Sequence, residues 1–154
     1  FMVEFFRKNI NLNLQCRFHP LDANKSRHIF IKEIENNKNI SIDKELFYKK
    51  FFEDIDVLIA DPTSLIAEFF VTGKPIIYLF PENKHLVFGS FGKKVNEGLY
   101  IIKNLIDLEN TIKQLEKNID PLKEKRLDII NKFYIRNSLD KITNCLLEDY
   151  NKKI

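Results

Sequence analysis

Residues 56 to 80, DVLIADPTSLIAEFFVTGKPIIYLF, leave the backbone few choices. Asp56 to Ala60 is a short apolar run closed by Asp61-Pro62, which reads as a buried strand ending in a turn. Thr63 to Thr72 is long enough for a helix, Gly73 supplies its stop, and Lys74-Pro75 cannot continue it. Ile76 to Phe80 is a second apolar run. A helical crossover between two strands joins parallel strands, since antiparallel neighbours need only a tight turn. The segment is a βαβ unit, and its sheet has to be covered on both faces.

The rest of the chain repeats this alternation. Met2 to Lys8 has apolar residues at 2, 3, 5 and 6, as on a helix, and Leu12, Leu14, Cys16 and Phe18 alternate as on a strand that His19-Pro20 ends. A helix is predicted over Ala23 to Asn36, a strand over Ile40 to Ile42 and a helix from Lys44 through Phe52. Pro81 to Gly98, with three of the four glycines, reads as a long loop of the kind that meets ligands. A strand over Leu99 to Ile102, a helix over Asp107 to Lys117 and two C-terminal helices, Pro121 to Phe133 and Ser138 to Tyr150, complete the order. The expected fold is α/β: a Rossmann-like, doubly wound parallel sheet with C-terminal helices, in a single domain spanning residues 1–154.

Bulk properties narrow the function. Of 154 residues 44% are apolar and 14 are Phe, enough for an ordinary core. The net charge of +3 comes from 25 basic against 22 acidic residues and is not gathered into an arginine-rich stripe, which argues against nucleic acid as the partner. Two cysteines, Cys16 and Cys145, lack a C-x-x-C spacing and read as free buried thiols of a reducing cytoplasm. No apolar run approaches the ~20 residues that span a bilayer, and Phe1 to Phe6 is too short for a signal peptide. The lysine-rich helices after Pro121 are read first as solvated faces, with peripheral contact to the anionic inner face of a membrane as the alternative.

In an open α/β sheet, ligands bind outside the carboxyl ends of the strands. Asp61-Pro62-Thr63-Ser64 lies there, at the carboxyl end of one strand and the amino end of a helix, where free N–H groups and the hydroxyls of Thr63 and Ser64 suit a diphosphate. Equally, Asp61 can serve only as the helix cap with Pro62 at the favoured first position. Ser64, Glu68 and Thr72 fall at i, i+4 and i+8, a single polar stripe on an otherwise apolar helix. Glu68 is then either an ordinary solvated residue or a carboxylate about 6 Å along the axis from Ser64, a span that fits the ribose attached to a bound phosphate. His19 either shapes the turn before Pro20 or reaches the same phosphates as donor or acid. Arg17, two residues earlier, shares its strand face and is either a phosphate ligand or solvated. No acidic cluster suggests a metal, and no cofactor is expected.

Asp61-x-x-Ser64, Glu68-Phe69 and Gly73-Lys74-Pro75-Ile76-Ile77-Tyr78, together with Arg17-x-His19-Pro20 about forty residues upstream, resemble the nucleotide-binding C-terminal half of the CDP-glycerol glycerophosphotransferase family, the teichoic-acid and capsule polymerases. The same turn and helix are similar to those of the UDP-N-acetylglucosamine 2-epimerases, which share the GT-B architecture of two facing Rossmann-like domains. Weaker likeness extends through Phe91-Gly92-Lys93, Glu97-Gly98-Leu99-Tyr100 and Asp120-Pro121-Leu122 with Arg126. The resemblance implies a cytoplasmic transferase acting on a nucleotide-linked donor (CDP-glycerol, another CDP-polyol or a UDP-sugar), with a lipid-linked polymer as acceptor. It implies diphosphate ligands at Arg17, Thr63 and Ser64, ribose contact at Glu68, a catalytic role for His19, and an acceptor domain upstream of Phe1 without which these residues do not turn over substrate. Pro62 departs from the family, which usually has an aromatic residue and then two serines after the aspartate, and from the epimerases, which have a serine and two glycines; it removes one N–H from the turn. A nucleotide-sugar epimerase and a noncatalytic nucleotide- or protein-binding module remain the alternatives.

Overall fold

The computed structural model of the chain describes residues 2–18, 24–34, 36–44, 47–61, 63–79 and 90–134. The chain divides into two compact units, Phe1–Ile55 and Asp56–Ile154. Both are mixed α/β, and every strand pairing among the described residues is parallel. Where the alternation predicts one sheet, the strands among the described residues form two, of two and three strands.

In the first unit, β1 (Leu14–Cys16) pairs with β2 (Ile40–Ile42), with Leu14 opposite Ile40 and Cys16 opposite Ile42. Three helices accompany them: α1 (Met2–Lys8), α2 (Asn24–Ile34) and α3 (Tyr48–Asp54). Val3, Phe5 and Phe6 of α1 are buried, with the two rings edge to face at 5.3 Å. Among the described residues of this unit, Ile34, Ile40 and Phe51 are the other buried apolar groups. Asn39 fixes the approach to β2, its amide donating to the carbonyls of Phe6 at 2.7 Å and Leu12 at 2.9 Å. The Phe6 carbonyl also accepts the Asn9 amide, whereas that of Leu12 lies outside regular structure, where a side-chain donor answers a group that burial would otherwise penalise.

The strand expected over residues 12 to 18 is therefore three residues long, and α3 begins four residues later than the predicted Lys44. No side chain caps α3 at Phe47, and Asp43, directly after β2, is paired with Arg17.

The second unit holds β3 (Leu58–Ala60), β4 (Ile76–Leu79) and β5 (Tyr100–Ile102) in the order β3-β4-β5. Leu58 faces Ile76 and Ala60 faces Tyr78 across one ladder, and Ile77 faces Tyr100 across the other. Ile76, Ile77 and Tyr78 are all buried, so residues pointing to both faces of β4 are covered, as a central parallel strand requires. The covering helices are α4 (Leu65–Phe70), α5 (Ser90–Asn96), α6 (Leu105–Glu116) and α7 (Lys123–Phe133). Phe69, Phe70 and Leu108 are fully buried, with Ile66, Val95, Ile112 and Ile129 around them.

Two of these helices differ from expectation for local reasons. α6 starts at Leu105 rather than Asp107 because Asn104 caps it: its side-chain oxygen accepts from the Asp107 amide at 2.9 Å. α5 lies within residues 81 to 98, expected to be loop throughout, and contains Gly92. Glycine disfavours a helix by about 1 kcal/mol, but Val95 is buried and the end of the helix is tied to α7 by Glu97, which pairs with Lys125 at 2.8 Å. Residues 81 to 89, and the helix predicted over Ser138 to Tyr150, lie outside the described residues.

The amino-terminal edge of the sheet is held by one side chain. Arg126 of α7 is wholly buried, and its Nε donates to the carbonyl of Gly73 at 3.1 Å, ahead of β4. A second nitrogen donates to the carbonyl of Gly98, ahead of β5, at 3.4 Å, and a third pairs with Asp120. Asp120 also accepts from the Tyr100 hydroxyl at 2.7 Å. A buried guanidinium is tolerable only when its charge and donors are answered in this way. Gly98 has to be glycine: a Cβ there would stand 2.8 Å from both Arg126 Cγ and Phe70 Cζ.

Candidate functional site

Asp61 directly follows β3, so the turn Asp61–Ser64 stands at the carboxyl edge of the second unit's sheet, opposite the Arg126 clamp. Asp61 and Ser64 are exposed and Thr63 is half-buried, while Pro62 lies outside the described residues. The N-cap position of α4 is Ser64, whose side chain makes no capping bond. The side-chain acceptor at this helix start is instead Thr63 Oγ1, which receives the Leu65 amide at 3.4 Å. The capping duty expected of Asp61 thus falls to Thr63, and Asp61 is left at the strand end with its carboxylate in solvent.

The helix itself is shorter than the predicted Thr63 to Thr72. Thr72 Oγ1 donates back to the Phe69 carbonyl at 2.8 Å, and the amides of Thr72 and Gly73 bond to Phe69 and Phe70 in tighter turns. Hydroxyls that bond back to the preceding turn compete with continued helix, and Gly73 then takes the left-handed conformation, φ 71°, that ends it. Six helical residues carry a smaller dipole than ten, so an anion at this turn would be held mainly by N–H groups and hydroxyls.

Ser64, Glu68 and Thr72 are all exposed, whereas Ile66, Phe69 and Phe70 are buried. The polar stripe foreseen from the spacing is therefore the solvent face of α4. Glu68 forms no ion pair among the described residues, and it stands one turn beyond Ser64 with its carboxylate available.

Tyr78 is the residue at this edge that sequence reasoning left without a role. It lies on β4 opposite Ala60, the last residue of β3, and is buried. Burial raises its phenol pKa and the negative charge of Asp61 raises it further, so the hydroxyl is neutral and within electrostatic reach of the Asp61 carboxylate. Its position in register with the strand that leads into the turn was the available clue.

In the first unit the corresponding edge carries Arg17, which follows β1, and Asp43, which follows β2. The two form an ion pair, with the Asp43 side chain 1% and the Arg17 side chain 17% exposed. The Arg17 guanidinium also lies over the Tyr48 ring, 4.3 Å from its centroid, and 5.6 Å from that of Phe51. Arg17 is therefore not the solvated residue of the simpler expectation. Its charge is already answered by Asp43, and a phosphate would have to share it. His19 lies outside the described residues, and His28 is exposed on α2. Burial pushes the Cys16 thiol up to about 11, consistent with an unreactive group.

Among the described residues no group of three His, Cys, Asp or Glu side chains could hold a metal ion, and no helix is long and apolar enough to cross a membrane. Comparison with known proteins finds no family model, curated protein or solved structure that matches the chain.

Proposed function

We propose that the turn Asp61–Ser64 and Glu68 bind the nucleotide of a CDP- or UDP-linked donor, and that the chain serves a transferase of the CDP-glycerol glycerophosphotransferase or glycosyltransferase kind in the synthesis of cell-surface polymer. One observation carries this reading. After β3 of a parallel sheet, the half-buried Thr63, the exposed Ser64 and, one helical turn on, the exposed carboxylate of Glu68 stand at the carboxyl edge, where α/β sheets receive ligands. The motif likeness of this stretch to the glycerophosphotransferases supports the choice of donor.

In this reading the Thr63 and Ser64 hydroxyls and the amides at the start of α4 donate to the diphosphate, while Glu68 accepts from the ribose hydroxyls. A hydroxyl of the acceptor attacks the transferred group and gives up its proton to solvent, the bond to the nucleotide breaks, and the electron pair leaves with the nucleotide phosphate. Donors fixed before the reaction stabilise that charge without having to reorganise. By the motif likeness alone, His19 is assigned the proton or hydrogen bond that assists departure and Arg17 a contact to phosphate. The contacts made by Glu68 are the same before and after bond cleavage, so Glu68 serves affinity rather than rate.

Titration calorimetry with CDP-glycerol, CDP, UDP and ATP tests the reading. Weak binding of a pyrimidine diphosphate compound is expected, reduced in Ser64→Ala. Indifference of the chain to all four compounds overturns it.

A further inference from the structure

The six-residue helix that carries Glu68 cannot hold its own orientation, because a helix this short is unstable without outside contacts. Its last four carbonyls have no partner within the helix. Those of Phe69 and Phe70 accept the amides of Thr72 and Gly73. The carbonyl of Ala67, adjacent to Glu68, is met from elsewhere: the hydroxyl of Tyr134, 67 residues away at the end of α7, donates to it at 2.9 Å. The Tyr134 ring also lies nearly parallel to that of Phe70, with centroids 6.0 Å apart and planes 16° from parallel. Phe91 of α5 packs against the same tyrosine at 5.6 Å.

From these contacts we propose that Tyr134 is a positioning residue for the ligand edge, acting through α4 to set where Ser64 and Glu68 stand. The inference rests on the proposed nucleotide site. Ring and hydroxyl have separable duties. The ring fills space beside Phe70 and fixes how closely α7 approaches. The hydroxyl is directional, since its O–H···O angle prefers to exceed about 150°, and it thereby resists rotation of α4 about its own axis. Rotation is what matters at the site, because Glu68 projects sideways from the axis and any turn of the helix sweeps its carboxylate along an arc.

The test is nucleotide affinity of the 154-residue chain in four forms: unchanged, Tyr134→Phe, Ser64→Ala, and both together. CDP is the probe, at a temperature where circular dichroism shows every form folded. Tyr134→Phe keeps the ring and loses the directional bond, and roughly a three- to tenfold loss of affinity is expected. The double variant should lose less than the product of the single losses, because Tyr134 has less to position once the Ser64 hydroxyl is gone. Lys132→Ala, on the same helix but in an exposed pair with Asp128, should bind as the unchanged chain does. A purely structural role for Tyr134 lowers the melting temperature and leaves affinity alone. Equal affinity of Tyr134→Phe and the unchanged chain, or losses that simply multiply, overturns the inference while the nucleotide site stands. Absence of CDP binding by the unchanged chain overturns both.

Discussion

At Glu68 two roles that the sequence leaves open make different demands on the side chain. It is exposed on α4 and forms no ion pair among the described residues, so its carboxylate contributes little to folding. Glu68→Gln should change unfolding free energy by no more than about 0.5 kcal/mol in a urea titration, the range of ordinary surface substitutions. The same change should weaken binding of a ribonucleotide, because the amide offers one acceptor where the carboxylate offers two, and the ribose hydroxyls are donors. Unchanged affinity in Glu68→Gln, with affinity lost in Ser64→Ala, returns Glu68 to the status of a solvated residue. The polar stripe that carries Glu68 was legible because helical geometry alone brings residues four apart onto one face. The company of Arg17 was not: Asp43 and Tyr48 are distant in sequence, and only the parallel register of β1 and β2 brings Arg17 and Asp43 together at one edge. The hint lay in position, since each residue immediately follows its strand.

Among the elements, those with a strong local cause were legible and those held by tertiary contacts were not. The βαβ passage from Leu58 to Leu79 follows from apolar runs, a glycine stop and a proline, and β3, α4 and β4 appear in that order. α5 was missed because Gly92 and its polar surroundings argue for loop, and what holds its end is an ionic junction with α7. Glu97, just past α5, accepts from Lys125 at 2.8 Å and Lys94 at 2.9 Å, and these hydrogen bonds hold its carboxyl pKa at about 2. A carboxyl depressed in the folded state contributes stability that is present above its unfolded value of about 4.3 and lost as pH falls through about 2. Carbon-detected NMR should therefore show Glu97 titrating well below the other glutamates. Because the group is exposed, molar salt should move its midpoint back toward the ordinary range, and a midpoint indifferent to salt would discount the two lysines as the cause.

For the whole molecule, parallel pairing and alternation were legible from the sequence, while the division into units ending and beginning at Ile55 and Asp56 was not, because no glycine- or proline-rich linker marks it. The stability of the second unit depends on Arg126, which joins α7 to the segments leading into β4 and β5. Arg126→Met fills much of the same volume but leaves Asp120 without its cation, and a loss of about 3–5 kcal/mol is expected in denaturant unfolding. Adding Asp120→Asn should recover part of that loss, because the stranded charge disappears; no recovery would mean that the bonds to the two carbonyls matter more than the ion pair. Those carbonyls carry a separate implication for inheritance. A main-chain oxygen is present whatever residue supplies it, so the segments that Arg126 grips are free to drift in sequence apart from Gly73, whose left-handed backbone favours glycine, and Gly98, which makes room for Arg126. Asp120 has no such freedom, and neither it nor Arg126 can be replaced alone without a costly intermediate. Lineages of this chain should therefore keep or exchange the two together while the residues between them diverge.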